Sequence, residues 1–196
     1  MSWIKKLNFT PMFVLMAASL AMAVLGWVGL TRGIPSPDST AQVARGRYLV
    51  TISHCNDCHT PWKMEPQGPA PDETRLLSGH PEDLKMPVPP RVDAPWGWYG
   101  AVTNTAFAGP WGTSYGANLT PDPDTGLGAW TEAIFIKAMR TGRHMGAGRP
   151  IMPPMPWQNV GRMTDADLKA IFAYLRTIPP IRNRVPDYEP PAGIGE

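Results

Sequence analysis

The most hydrophobic stretch of the chain lies near its N-terminus. Met12 to Leu30 contains no charged residue, and Lys5 and Lys6 precede it. Its 19 residues, at about 1.5 Å each in a helix, nearly span a hydrocarbon layer about 30 Å thick. The run predicts either a transmembrane anchor or a cleaved signal peptide with the site Ala21-Met22-Ala23. The run continues past that site, which favours an anchor over residues 1–33 and places the rest of the chain outside the cytoplasm.

The next segment changes from apolar to polar. Residues 34–40 include Pro35 and Pro37, which favour an extended backbone and predict a tether. From Ala41 to His54 apolar residues recur at near-helical spacing, which predicts an amphipathic helix. We therefore expect a folded domain over residues 41–180 and a proline-rich tail over residues 181–196 that lies along its surface.

Two later helices carry clear start and stop signals. Thr131 is a suitable N-cap for a helix that contains an apolar face and ends at Gly142. Thr164 and Asp167 have the spacing of a capping box, and Pro179 follows the apolar stripe of that second helix. The fold is therefore expected to be mainly α.

Between these helical regions, residues 60–128 show no sustained helical period. The stretch is too long for an ordinary loop and is rich in proline and glycine. It also holds many aromatic residues, which a solvated coil does not need. We therefore interpret it as an ordered coil insertion that wraps an apolar core. Its aromatic residues are Trp62, Trp96, Trp98, Tyr99, Phe107, Trp111 and Tyr115.

Composition excludes several classes of protein. Among 196 residues there are 24 Pro, 19 Gly and 8 Trp, without the glycine period of collagen. Two cysteines are too few for a disulfide scaffold, and a net charge of +2 is too small to indicate a nucleic-acid binder. Nothing in the sequence indicates a small-molecule substrate. Composition therefore does not identify the function, and particular residues must indicate it.

The two cysteines form a C-x-x-C-H motif, Cys55-Asn56-Asp57-Cys58-His59. This spacing is typical of covalent haem attachment, in which both thiols add to one haem and the adjacent histidine ligates its iron. The histidine then needs a carbonyl partner that fixes its tautomer. A thioredoxin-like pair expects a βαβ context, a zinc site needs further ligands, and a disulfide would close a very small loop. The motif therefore predicts one haem c.

The second axial ligand is less clear from the residues alone. Methionine, histidine or an open position would indicate an electron carrier, a low-potential carrier or a ligand-binding haem protein. Met152 and Met155 lie in a proline-rich loop, Arg149 to Trp157, whose restricted backbone would present a weak thioether ligand at low entropic cost. His144 is an alternative ligand, although a surface role suits it better.

The order of these elements resembles class I c-type cytochromes over about residues 41–180. The closer resemblance is to cytochrome c domains of bacterial membrane-bound dehydrogenase cytochrome subunits, in which the methionine of a Pro-x-Met-Pro-aromatic segment ligates the iron. That resemblance implies His59 and Met155 as axial ligands, with Met152 as second choice. The matching stretches are Gly46-Arg47-Tyr48-Leu49, Asn118-Leu119-Thr120-Pro121-Asp122, Thr125-Gly126-Leu127-Gly128, Arg140-Thr141-Gly142 and Pro154-Met155-Pro156-Trp157.

The resemblance has limits and further implications. Those subunits usually carry several haem motifs, whereas this chain has one. It also implies that Tyr174-Leu175 packs against Gly46 and Tyr48. The expected function is a membrane-anchored, non-enzymatic monohaem cytochrome at the outer face of a bacterial inner membrane, which exchanges electrons with a dehydrogenase, oxidase or other cytochrome. The alternative is a sensor or catalytic haem protein with a labile sixth ligand.

Smaller signals concern the haem periphery and the surface charge. Asn118, Thr120, Arg149 and Trp157 are candidates for contacts to haem propionates, and His80 has the sequence context of a turn. The C-terminal half is the more basic one. Two interpretations of this charge are equally favoured: a surface that steers an acidic redox partner, and a solvated surface with no particular partner. Its basic residues are Lys137, Arg140, Arg143, Arg149, Arg162, Lys169, Arg176, Arg182 and Arg184.

Overall fold

The structure, a computed structural model, describes residues 37–90 and 95–191. The predicted anchor over residues 1–33 and the first part of the tether lie outside the described residues. Within the described ranges, no helix is both long and apolar enough to cross a bilayer. The helices are α1 (Pro37–Ile52), α2 (Cys55–His59), α3 (Glu132–Thr141), α4 (Trp157–Val160) and α5 (Asp165–Leu175), and the strands are β1 (Trp62–Glu65), β2 (Gly68–Pro71), β3 (Tyr99–Gly100), β4 (Ala106–Gly109) and β5 (Gly112–Tyr115).

Both predicted helix caps are confirmed. The Thr131 side chain accepts a hydrogen bond from the Ile134 N–H, and Gly142 ends α3 in the left-handed conformation at φ 64°. The Thr164 hydroxyl accepts from the Asp167 N–H and donates to the Asp167 carboxylate, at 3.1 and 3.0 Å. These caps depend on a few neighbouring residues, so local chemistry suffices to predict them.

The first helix starts earlier than the sequence indicates. α1 begins at Pro37 rather than Ala41, so residues 37–40 are helical and not the extended tether expected from their prolines. Proline is well tolerated in the first helical turn, where its fixed φ is suitable and its missing N–H is not needed. Pro37 therefore marks a helix start.

The region expected to be coil contains strands. β1 and β2 form an antiparallel hairpin, while β3, β4 and β5 form an antiparallel sheet in that order. The β4–β5 hairpin pairs Gly109 with Gly112 around a two-residue turn, and Gly112 has φ 97°. Strands of two to four residues rich in glycine and proline carry no detectable alternation, so only their pairing reveals them.

The aromatic residues of this region divide between interior and surface. Phe107 is buried in β4, and the Trp98 ring meets it edge-on at 5.7 Å. Trp96, however, is 69 % exposed, and Trp98 and Tyr99 are also exposed. The expectation that the aromatic rings as a set cover the core is therefore wrong for these three residues.

One hydrophobic core joins α1, α3 and α5. Cys55 of α2 and Met155 of the proline-rich loop both pack against it as half-buried side chains. The principal buried members are Leu49, Val50, Leu77, Leu127, Phe135, Ala138, Leu168, Ile171, Phe172 and Leu175. The helical core therefore contacts both the C-x-x-C-H helix, through Cys55, and the proline-rich loop of residues 149–157 (the methionine loop), through Met155.

α1 and α5 cross at Gly46. A Cβ atom built on Gly46 would lie 1.9 Å from the Ala170 carbonyl oxygen and 2.8 Å from Tyr174 Cβ. The predicted contact between Gly46 and Tyr174 is confirmed. Tyr48 is exposed, and the Arg45 guanidinium lies over its ring. Only glycine permits this approach of the two backbones.

Gly46→Ala is therefore expected to destabilise the protein. In an open helix, alanine is better than glycine by about 1 kcal/mol, but here the added methyl group overlaps backbone atoms, an overpacking that typically costs about 1–3 kcal/mol. Denaturant unfolding should show a lower free energy of unfolding for Gly46→Ala. Gly97→Ala is the matched control, because no atom lies within 4 Å of its added Cβ; equal stability of the two variants would contradict the crossing.

The C-terminal segment does more than lie along the surface. Glu189 forms an antiparallel bridge with Thr113 of β5, through two backbone hydrogen bonds of 2.8 and 3.0 Å. The Tyr115 hydroxyl donates to the Glu189 carboxylate at 2.6 Å. Asn183 is only 1 % exposed. The expectation of a surface tail is therefore incomplete, because this segment contributes a buried polar side chain to the fold.

Candidate haem site

The two cysteines and His59 lie on one short helix, α2. His54 precedes it in the left-handed conformation at φ 58°, which turns the chain between α1 and α2. Cys55 and Cys58 are free thiols, each half-buried. Burial raises the pKa of Cys55 to about 11 and raises that of Cys58 too. The site thus holds two unpaired sulfur atoms within one helical turn.

The His59 imidazole has a defined tautomer. Its Nδ1 atom lies 2.8 Å from the Ala117 carbonyl oxygen. A carbonyl only accepts hydrogen bonds, so Nδ1 carries the proton. Burial lowers the pKa of His59, so the ring is neutral at ordinary pH. The lone pair therefore resides on Nε2, the state that a metal ligand requires.

The segment that carries Ala117 is held closely against α2. A Cβ atom on Gly116 would lie 2.1 Å from the Cys58 carbonyl oxygen, so this approach needs glycine. Gly116 donates its N–H to the Thr105 carbonyl and accepts from the His80 N–H. The hydrogen-bond partner of His59 is thus a backbone carbonyl in a segment held by several hydrogen bonds, and no side-chain motif in the sequence identifies it.

His80 is a buried residue and not the simple turn residue that its sequence context suggests. Its side chain is fully buried; Nε2 lies 3.0 Å from the Leu84 carbonyl and Nδ1 lies 3.0 Å from the Thr105 hydroxyl. Because the carbonyl only accepts, Nε2–H donates and Nδ1 accepts from Thr105. Burial also lowers the pKa of His80, which favours this neutral form.

The methionine loop connects α3 to α4. The Ile151 N–H donates to the Gly142 carbonyl. The Gly142 backbone packs against the Trp157 ring, because a Cβ atom built on Gly142 would lie 2.4 Å from a ring carbon. Met155 is half-buried against the core that Cys55 also contacts. Met152 is also half-buried, and its carbonyl accepts from the Met155 N–H at 3.3 Å. The structure thus brings Met155 and the cysteine helix to one core.

The other candidates have different surroundings. The Asn118 amide donates to the Ile181 carbonyl, and its oxygen accepts from the N–H and the hydroxyl of Thr120. These contacts agree with the turn-building role of Asn118 and Thr120. His144 is exposed and meets the Trp130 ring edge-on at 5.2 Å, as suits a surface residue. The exposed Arg149 donates to the Pro150 carbonyl.

The donor set fits haem c better than zinc or a dithiol pair. Two thiols on one turn can attach a haem, and a neutral imidazole with its lone pair on Nε2 and a thioether at the same core are groups that can ligate its iron. In the part of the chain that the structure describes, no group of three or more His, Cys, Asp or Glu side chains is arranged to hold a metal ion by itself. The residues present therefore fit the haem.

Comparison with known proteins agrees with this donor set. Residues 43–179 match the family model described as cytochrome c. The chain is 39 % identical over 174 residues to the cytochrome c subunit of a quinone alcohol dehydrogenase of Gluconacetobacter polyoxogenes, covering 88 % of this chain and 29 % of the relative. It is 27 % identical over 161 residues to the corresponding subunit of Gluconobacter oxydans, covering 79 % and 26 %.

A third relative matches a shorter part. The chain is 43 % identical over 77 residues to one of the subunits of nicotinate dehydrogenase from Pseudomonas putida, covering 39 % of this chain and 6 % of that protein. This chain therefore spans less than a third of each of the three relatives. The likeness concerns one domain of larger proteins.

Proposed function

Because this chain belongs to the cytochrome c family, we propose that it is a monohaem electron carrier with Cys55 and Cys58 as attachment points and His59 and Met155 as axial ligands. The main support is the hydrogen bond from His59 Nδ1 to the Ala117 carbonyl, which leaves Nε2 available to iron. The bound haem would supply a one-electron ferric–ferrous couple. Cys55 and Cys58 would hold the haem, and His59 and Met155 would ligate its iron.

The proposal assigns a carrier rather than a catalytic role. Two of the three relatives are by name cytochrome c subunits of quinone alcohol dehydrogenases, and we propose that this chain likewise exchanges electrons with a dehydrogenase, oxidase or another cytochrome. It binds one haem, because it has one C-x-x-C-H motif. We also propose that residues 1–33 tether it to the bacterial inner membrane, with the haem domain on the periplasmic side; the long uncharged run supports this location.

The decisive experiment asks whether the sixth position is closed. The protein is matured with its haem, reduced, and exposed to carbon monoxide at neutral pH. A carrier ligated by Met155 should give an unchanged reduced spectrum and, when ferric, the weak red absorption band of methionine–iron ligation. Rapid carbon monoxide binding with no such band would contradict the carrier and favour the sensor or catalytic alternative.

A basic cluster beside the methionine loop supports the steering of an acidic partner. Lys137, Arg143 and Arg149 are exposed and have no ion pair with a described acidic residue. Arg143 forms a backbone β-bridge with Pro150, and the Lys137 side chain lies against Gly146. All three basic residues therefore lie in, or against, the loop of residues 142–150. Two other basic residues of this half are neutralised, since Arg140 pairs with Asp165 and Lys169 with Glu132.

This cluster predicts a salt-dependent reaction with anionic oxidants. Ferricyanide should oxidise the reduced protein more slowly as ionic strength rises, and Lys137→Gln with Arg149→Gln should slow it about three- to tenfold at low salt. Stopped-flow absorbance measures both rates. Arg182→Gln with Arg184→Gln removes the same charge elsewhere and should have a smaller effect. Equal slowing by the two pairs would show that net charge, and not this cluster, steers the reaction.

A further inference from the structure

Asn183 is a buried asparagine in the C-terminal segment, beyond the residues 43–179 that match the family model. Its Nδ2 atom donates to the carbonyls of Ser78 and His80, both at 2.8 Å. Its Oδ1 atom accepts from the Arg75 guanidinium at 2.9 Å and the Glu82 N–H at 3.0 Å. Two acceptors face one end of the amide and two donors face the other, so its orientation is unambiguous and its hydrogen-bonding capacity is filled.

The segment to which Asn183 bonds, residues 78–80, also contacts His59 directly. Gly79 lies between its two acceptor carbonyls and donates its N–H to the His59 carbonyl at 2.7 Å. The His80 N–H donates to the Gly116 carbonyl at 2.9 Å, and the Leu77 carbonyl accepts from the Leu119 N–H at 2.8 Å. Residues 77–80 and 116–119 are thus joined on both sides of Ala117, which accepts from His59 Nδ1.

The C-terminal segment also forms hydrogen bonds directly with residues 116–119. Asn118, the neighbour of Ala117, donates its amide to the carbonyls of Ile181 and Asn183 at 2.8 and 3.3 Å. The Thr120 hydroxyl accepts from the Ile181 N–H at 3.1 Å, and the Asn183 N–H donates to the Thr125 hydroxyl at 3.0 Å. Residues 181–183 therefore bond to both stretches that hold Ala117 in place.

We propose that Asn183 is a positioning residue for the axial histidine: it holds residues 77–80 and 116–119 so that the Ala117 carbonyl stays within hydrogen-bonding distance of His59 Nδ1. This inference rests on the proposed function. A hydrogen bond from Nδ1 raises the basicity of the imidazole as a metal ligand. Asn183 would therefore contribute to the reduction potential of the bound haem through His59.

The sign of the potential change separates this role from simple stabilisation. A weaker bond to Ala117 makes His59 a poorer electron donor to iron, which favours the ferrous state and raises the potential. A general loosening that admits water favours the more highly charged ferric haem and lowers the potential. The two roles of Asn183 therefore predict opposite shifts.

The experiment uses the haem-loaded protein and the variant Asn183→Ala. Its reduction equilibrium should shift about threefold toward the ferrous state, with a correspondingly higher potential in a redox titration. The exchange of the His59 Nδ1 proton with solvent, followed by nuclear magnetic resonance, should accelerate about tenfold as the bond opens more often. Thr120→Val has nearly the same shape and removes the hydroxyl that bonds to Ile181 and to the Asn118 amide oxygen. It should act in the same direction and decides the matter if Asn183→Ala does not fold.

Two controls accompany these variants. Asn159→Ala replaces an exposed asparagine, and Tyr188→Phe removes one hydrogen bond from the far end of the same segment, to the Trp111 carbonyl. Both should leave the potential and the proton exchange unchanged. An unchanged or lower potential in a haem-loaded variant would overturn the positioning role of Asn183 and leave the proposed function standing. Absence of covalent haem from the unaltered protein would overturn the proposed function and this inference with it.

Discussion

A protein with both Cys55→Ser and Cys58→Ser is expected to carry no covalent haem. The two thiols lie one helical turn apart on α2 and are the only sulfhydryl groups in the chain. A serine hydroxyl does not form a stable thioether-like link, so any haem taken up should leave the chain in acidified acetone. Haem staining after denaturing electrophoresis measures the loss, which should be essentially complete.

The helix also offers a matched control. Asp57 lies between the cysteines, is exposed, and pairs only with the exposed His54 at 3.2 Å among the described residues. Asp57→Asn should therefore keep the haem stain at its normal intensity. The attachment assigned to these cysteines would be wrong if the double variant stained like the unaltered protein. Each single serine variant should retain one link and stain when it is matured.

Met155→Leu is expected to change the iron ligation while keeping the haem attached. Leucine is similar in size to methionine and apolar, so the half-buried packing against the core survives, but it has no sulfur lone pair for iron. The red absorption band of the ferric protein should disappear, and carbon monoxide should bind the ferrous form. Because axial ligands set haem potentials over about 0.8 V, the loss of the thioether should lower the potential by on the order of 0.1–0.3 V.

Met152→Leu is the matched control for this variant. Met152 lies in the same loop, is also half-buried, and has the same chemistry. If Met155 is the ligand, Met152→Leu retains the red band and shifts the potential little. The opposite pattern, with the band lost in Met152→Leu and kept in Met155→Leu, would move the assignment to Met152. Absorption spectroscopy and a redox titration of the two variants settle the comparison.

The parts of the fold that the sequence predicts are those governed by neighbouring residues. The caps at Thr131 and Thr164 and the left-handed stop at Gly142 are short-range features, and each lies where the sequence indicates. The contact between Gly46 and Tyr174 is long-range, and it was predictable only through the family resemblance. The C-x-x-C-H motif is likewise a local feature, because a single short helix brings its two cysteines and its histidine together.

The missed features depend on tertiary pairing. β4 and β5 are four residues each and exist because Ala106–Gly109 pairs with Gly112–Tyr115. His80 and Asn183 are isolated polar residues in sequence, and only the fold surrounds them with partners. The acceptor for His59 Nδ1 is the backbone carbonyl of an alanine, Ala117. Every residue has such a carbonyl, so no residue type could identify this one.

The most direct test of the central claim is the intact mass of the matured protein, followed by mass mapping of its peptides. We predict one haem added per chain, carried by the peptide that contains Cys55 to His59. A mass equal to that of the bare polypeptide, more than one haem, or a haem on another peptide would contradict the account.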